Sequence, residues 1–175
     1  ATPTFSWKLP AGVEKQTAYR IEVKDTSVLW DSDWVQSDQS VYVPYGGEPL
    51  SSRQYVEWRV RFKDENGKDS GWSEAASLEL GLLSKSDWQA QWIRIPQTPA
   101  DVEKVTSLRR DFKVEGAVKS ARLYVAARGV FEMSLNGKKI GDDHFANGFT
   151  SYSNRLDSLT YDVTDQLQAG SNSVD

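Results

Sequence analysis

The sequence predicts an all-β chain built as two successive antiparallel β-sandwiches, and three observations carry that expectation. Apolar residues recur with a period of two rather than 3.6. Turn-forming words separate these runs at short intervals, and no stretch is patterned as a long helix. All seven tryptophans of the 175-residue chain lie at or before Trp92, a segregation that suits two cores better than one.

In the first part, Tyr19, Ile21 and Val23 alternate with Arg20, Glu22 and Lys24, the pattern of a strand buried on one face. Val41 and Val43 repeat it. Val56, Trp58, Val60 and Phe62 alternate with Glu57, Arg59, Arg61 and Lys63 in the clearest strand of the chain. Pro44-Tyr45-Gly46-Gly47 and Asp64-Glu65-Asn66-Gly67 supply turns. This unit is expected over residues 1–81. Leu82, Leu83, Trp88 and Trp92 make residues 82–92 too apolar for a free linker, so the joint is expected to hold the two units together.

The second unit is expected over residues 93–175, with a loop-like stretch from Pro96 to Asp101 just inside it. Leu108, Phe112 and Val114 share one face of a strand, into which Arg110 also falls. Ala121, Leu123, Val125 and Ala127 form another, and Val130 to Leu135 runs into Asn136-Gly137, whose residues tolerate positive φ and make a tight hairpin. Lys138-Lys139-Ile140 returns from it, and Leu159, Tyr161 and Val163 alternate once more. Thr164 is expected to cap a helical turn from Asp165 to Gln168, closed by Gly170. The pattern is that of a jelly roll, but such a fold takes about eight strands. Five or six can be counted, with Val174 starting another. An unfinished sandwich predicts an open edge strand, paired between copies, or a disordered end.

Composition removes several function classes. The balance of 21 basic and 25 acidic residues gives −4, against the basic face that a nucleic-acid partner requires. No apolar run reaches the roughly 20 residues of a membrane helix, and no signal peptide opens the chain. Cysteine is absent, which excludes disulfides and thiolate metal sites. With His144 the only histidine, any Ser-His-Asp triad must run through it.

Two resemblances follow from the residues. Phe5-Ser6-Trp7, Ala18 to Val23, Leu50 to Val60 and Asp69-Ser70-Gly71-Trp72-Ser73 resemble a fibronectin type III domain. That likeness places Trp7, Tyr19, Val41, Val56 to Phe62 and Leu78 to Leu80 on its strands B, C, E, F and G. The family sets a corner tyrosine six residues after a leucine; six beyond Leu50 is Val56, with Tyr55 one place early. Across the whole chain, Trp30-Asp31-Ser32, Tyr55 to Val60, Gly71-Trp72-Ser73, Glu79 to Leu83, Asp87 to Ile93, Ala121 to Val125 and Leu135 to Asp142 recur in order. Gly148, Thr150, Tyr152, Arg155 and Tyr161 to Thr164 follow. This order resembles the N-terminal region of bacterial α-L-rhamnosidases of glycoside hydrolase family 78.

The resemblance implies a fibronectin-like and a jelly-roll module of a multidomain hydrolase whose acidic α/α barrel lies elsewhere. In such a parent, one carboxylic acid protonates the leaving oxygen and a carboxylate activates water. No catalytic residue carries over to this chain, no cofactor is required, and an extracytoplasmic (periplasmic or secreted) location is implied. The remaining domains of the hydrolase are the implied partners. In some relatives the jelly roll resembles a family 67 carbohydrate-binding module, which holds L-rhamnose through calcium. Here Asp142 and Asp143 are the candidate calcium ligands, and Asp142, Asp143, Asn147, Phe149 and Tyr152 the candidate contacts to a rhamnose-containing glycan. The alternative has the acids solvating a loop while Phe145, Phe149 and Tyr152 close the core. Trp30, Trp34 and Tyr45 offer a second candidate sugar surface. Asp142 and Asp143 are poorly placed as a catalytic pair, because adjacent residues of an extended segment face opposite ways. Three functions stay open: an accessory piece of a rhamnosidase, an independent carbohydrate-binding module, and a fibronectin-type adhesion module.

Overall fold

The computed structural model describes residues 1–96 and 105–175. The expected loop from Pro96 to Asp101 therefore lies, beyond Pro96, outside the described residues. The chain divides into two compact units, Ala1–Gln91 and Trp92–Asp175. No helix among the described residues is long and apolar enough to cross a membrane.

Seven strands build the first unit: β1 (Thr4–Phe5), β2 (Gln16–Lys24), β3 (Val28–Asp31), β4 (Val35–Gln36), β5 (Val43–Pro44), β6 (Tyr55–Asp64) and β7 (Ala76–Glu79). All pair antiparallel. One sheet runs β3-β2-β6-β7, with β4 also on β2, and a small second sheet joins β1 to β5. The period-two alternation of β2 and β6 dictates this layering. Ile21, Val23 and Val56 are wholly buried, and pack with Phe5, Tyr19, Val43, Tyr45, Leu50, Val60 and Leu80. Trp58 stacks on Phe5 with ring centroids 4.6 Å apart.

Several local expectations are corrected. Val41 is not on a strand: it lies in a bend, 54% exposed, and only Val43 turns inward. Trp7 follows β1 in irregular backbone, although its amide donates to the Ser40 carbonyl. Leu80 is buried one residue past β7. Tyr45 is a core residue, 4% exposed, and Trp30 packs edge-on against it at 5.2 Å, so the two do not form a free sugar surface. Tyr55 is half exposed and ties down no corner. Instead the corner is closed by backbone bonds from Arg53 N–H to the Leu80 carbonyl and from Leu80 N–H to the Gln54 carbonyl.

The other face of β2 and β6 carries a repeated device. Asp31-Ser32-Asp33-Trp34 and Asp69-Ser70-Gly71-Trp72 flank the strand pair on opposite sides, and Arg20 and Arg61 oppose each other in register between them. Arg20 grips Asp31 through two hydrogen bonds of 2.8 and 2.6 Å, and Arg61 grips Asp69 likewise. Ser32 accepts from the Ile21 amide and donates to the Asp33 carbonyl; Ser70 does the same with Phe62 and Gly71. Both turns pass through positive φ, 50° at Asp33 and 74° at Gly71. Trp34 then lies against Arg61 and Lys63, and Trp72 against Arg59, Arg61 and Arg20.

Hydrogen bonds from Arg20 and Arg61 hold the Asp31 and Asp69 carboxyls below the usual carboxylate range, against the opposing pull of burial. A carboxyl with a depressed folded-state pKa stabilises the fold above its unfolded value, about 3.9, and loses that contribution as pH falls through the folded value. The first unit is therefore expected to melt at a constant temperature from neutral pH down to about 5. Below about pH 4 the melting temperature should fall. The double substitution Asp31→Asn, Asp69→Asn should be less stable at neutral pH and show a flatter acid limb in pH-dependent calorimetry.

Among the described residues the second unit holds six strands: β8 (Arg110–Val114), β9 (Arg122–Val125), β10 (Ser134–Leu135), β11 (Lys138–Lys139), β12 (Leu159–Asp162) and β13 (Gly170–Val174). They form two sheets, β11-β10-β13-β8 and β12-β9, again all antiparallel. Asn136 and Gly137 take φ of 54° and 76°, which gives the expected two-residue hairpin between β10 and β11. Leu108 precedes β8 rather than joining it, and Arg110 is exposed, so no charge enters the core. Thr164 does not cap a helix. It sits inside a 3₁₀ turn, Thr164–Gln166, and its hydroxyl accepts from the Ala121 amide. Gly170 opens β13 instead of closing a helix. Val174 ends a strand paired on both sides, with Leu135 and with Arg110, so β13 itself is not an edge strand. The core is small: Leu135, Ile140 and Val163 are buried, with Phe112, Leu123, Met133 and Tyr161 packed around them.

Candidate functional site

The candidate residues occupy the long connection between β11 and β12. Ile140 is buried and anchors its start through a bond from its amide to the Met133 carbonyl. Gly141 follows at φ 68°, and a Cβ there would meet the Tyr161 ring at 2.5 Å, so only glycine fits between hairpin and ring. The Asp143 carboxylate accepts a 2.9 Å hydrogen bond from the Tyr161 hydroxyl. Burial raises the Tyr161 pKa, and the bond to Asp143 adds to the shift. Asp142 is exposed beside it.

Farther along, the connection is tied to the 129–131 segment. Phe131 N–H donates to the Ala146 carbonyl and Gly129 N–H to the Tyr152 hydroxyl, each at 2.8 Å. The Asn147 amide nitrogen donates to the Asp157 carbonyl, while its side-chain oxygen is buried without a protein partner. Phe145 is 77% and Phe149 88% exposed, and the Phe149 ring lies 5.7 Å from that of Tyr152. The two phenylalanines therefore do not close the core; they stand in solvent.

The five candidate residues thus separate into two groups. Asp143 is drawn to Tyr161, whereas Phe149 and Tyr152 form an aromatic pair, with Asn147 turned to the backbone of Asp157. Calcium takes six to eight oxygens. Among the described residues no group of three or more His, Asp or Glu side chains is placed to hold a metal. His144 lies 3.8 Å from Glu132, whose carboxyl is held below its usual range chiefly by a hydrogen bond from Lys139. The part played by Tyr161 escapes sequence reasoning, because its alternation with Leu159 and Val163 marks it as core. Only the tertiary structure brings its hydroxyl to Asp143.

Every carboxyl shift resolved among the described residues is downward: Asp25, Asp31, Asp69, Asp87, Glu132 and Asp162. Each is a hydrogen-bonded or ion-paired anion.

Residues 1–84 match the model of the Rha78A-like N-terminal immunoglobulin domain, and residues 116–175 that of the alpha-L-rhamnosidase N-terminal domain. An alpha-L-rhamnosidase of Formosa agariphila is 41% identical over 191 residues, which cover 99% of this chain and 21% of the relative. Among solved structures, an alpha-L-rhamnosidase from Dictyoglumus thermophilum superposes with a TM-score of 0.88 at 29% identity, over 99% of this chain and 22% of its own. One from Aspergillus terreus gives 0.79 at 32%, over 99% and 21%. The chain spans about a fifth of the length of the curated relatives it matches.

Proposed function

The chain belongs with the α-L-rhamnosidases through its two N-terminal domains, and from that premise we propose that it is the non-catalytic supporting region of such a hydrolase. The observation that carries this reading is the match of both units, in order, to domains that occupy about a fifth of the relatives. On this reading the remaining domains of the parent are its partners, and removal of terminal α-L-rhamnose is the work of the whole protein. A parent lacking residues 1–175 should melt at least ~5 °C lower than the intact protein. Unchanged melting would refute a supporting role.

A second reading is favoured by one feature, the exposed Phe149 beside Tyr152 with the unpartnered Asn147 oxygen nearby in sequence. A sugar ring laid on Phe149 would bury apolar surface that now faces water. Calorimetric titration with L-rhamnose, with and without calcium, should then give heat that Phe149→Ala abolishes. No heat at millimolar sugar in either arm removes this reading.

A further inference from the structure

We propose that a groove on the first unit, walled by Trp7, Trp58 and Phe62, is the seat of an apolar peptide segment from the part of the parent polypeptide beyond these 175 residues; this rests on the supporting role proposed above. The groove arises because the second sheet consists of only β1 and β5, two residues each. Phe5 of β1 covers Trp58, but toward the Phe62 end of β6 no strand of that sheet follows. The space there, about 320 Å³, is lined by Trp7, Pro10, Trp58, Val60, Phe62 and Trp72, with Lys8 and the 70–73 segment at its sides.

Its chemistry selects the occupant. The polar groups that line it are largely spent inside the unit. Trp7 Nε1–H donates to Gln16, and the Ser70 and Ser73 hydroxyls each accept from a β6 amide and donate to a carbonyl. A saccharide, which needs several donors and acceptors, would find chiefly the Lys8 ammonium. The volume lies at the lower end of the ~300–1,000 Å³ range of ligand pockets, enough for one or two apolar side chains. The opposite face of β2 and β6 pairs its own charges, Arg20 with Asp31, Arg59 with Glu22 and Arg61 with Asp69. About four-fifths of the length of the relatives lies outside the stretch that this chain matches, which is ample chain to supply the segment.

Hydroxyl-radical footprinting tests this on the chain alone and on the same chain continued by the rest of its polypeptide. Oxidation of Trp7 and Trp58 should be at least fivefold slower in the longer protein, while Trp34 and Trp72, on the charged face, change less than twofold. The exposed rim substitutions Lys8→Glu and Pro10→Glu should restore fast oxidation in the longer protein, yet leave the unfolding midpoint of the chain alone unchanged. Equal rates in the two proteins would overturn the proposal. So would protection that grows with concentration in the chain alone, which indicates a second copy, or protection by L-rhamnose, which indicates a sugar. Protection without any loss of stability on deleting residues 1–175 would leave the groove assigned and defeat the supporting role; the reverse pattern would do the opposite.

Discussion

Replacing Gln16 by leucine is expected to destabilise the first unit by about 3 kcal/mol, although leucine is nearly the same size and apolar. Gln16 is 1% exposed at the start of β2. Its amide nitrogen donates to the carbonyls of Ser37 (3.1 Å) and Gln39 (2.9 Å), and its oxygen accepts from the Trp7 indole at 2.9 Å. One side chain thereby fastens two irregular segments, around Trp7 and around residues 37–39, to the edge of the main sheet. Leucine would leave the Trp7 indole N–H and the Ser37 and Gln39 carbonyls, all in part-buried bonds, without this partner, at about 1 kcal/mol each. Six of the seven tryptophans lie in the first unit, so indole fluorescence in urea reports this transition nearly alone. The midpoint should shift at an unchanged slope. A midpoint within error of the parent sequence would show that water replaces the glutamine at no cost.

The corresponding weak point of the second unit is Asn172, 3% exposed in β13. It donates to the Gln168 and Gly170 carbonyls and accepts from the Gln168 amide and the Asn136 side chain. Asn136 in turn accepts from the Ser173 amide and donates to the Gln166 carbonyl. The hairpin turn and the entry to β13 are thus fixed by two asparagines. Among the described residues the buried cluster of this unit is small, Leu135, Ile140 and Val163, so little else compensates. Asn172→Ala is expected to cost about 3 kcal/mol, enough to unfold much of a unit with so small a core. Amide hydrogen exchange at Leu135, Ser173 and Val174 should accelerate by about two orders of magnitude, while exchange in β2 and β6 stays unchanged. Ser171→Ala, on an exposed neighbour, should leave all of these rates as they are.

The residues that were legible in the sequence are those whose neighbours alone determine their conformation. Tyr19 to Val23 and Val56 to Phe62 read as strands because alternation along an extended chain sorts faces without help from distant residues. Asn136-Gly137 read as a hairpin because few other pairs tolerate two positive φ angles in succession. Gln16 and Asn172 were not legible. A polar residue in a strand normally marks the wet face, and partners distant in sequence, Ser37 for Gln16 and Asn136 for Asn172, help to hold these two inside. Tyr45 misled for the opposite reason: it sits among glycines and a proline in a turn-like word, yet Phe5 and Trp30 enclose it. The twin Asp-Ser-x-Trp words were present in the chain all along, but their equivalence emerges only when Arg20 and Arg61 are seen to face each other. At the candidate site, sequence placed Asp142, Asp143, Asn147, Phe149 and Tyr152 in one connection. The direction of each side chain depended on Tyr161, Gly129 and Asp157, none of which pattern could link to it.

The most direct measurement is the release of nitrophenol from an aryl α-L-rhamnoside by the purified 175-residue chain, beside the longer protein at equal molarity. The chain alone should give no release above buffer, and the longer protein should turn over at roughly 1 s⁻¹ or faster. Hydrolysis by the isolated chain at a comparable rate would mean that these two β units hold an acid and a base of their own, and that the supporting role is wrong.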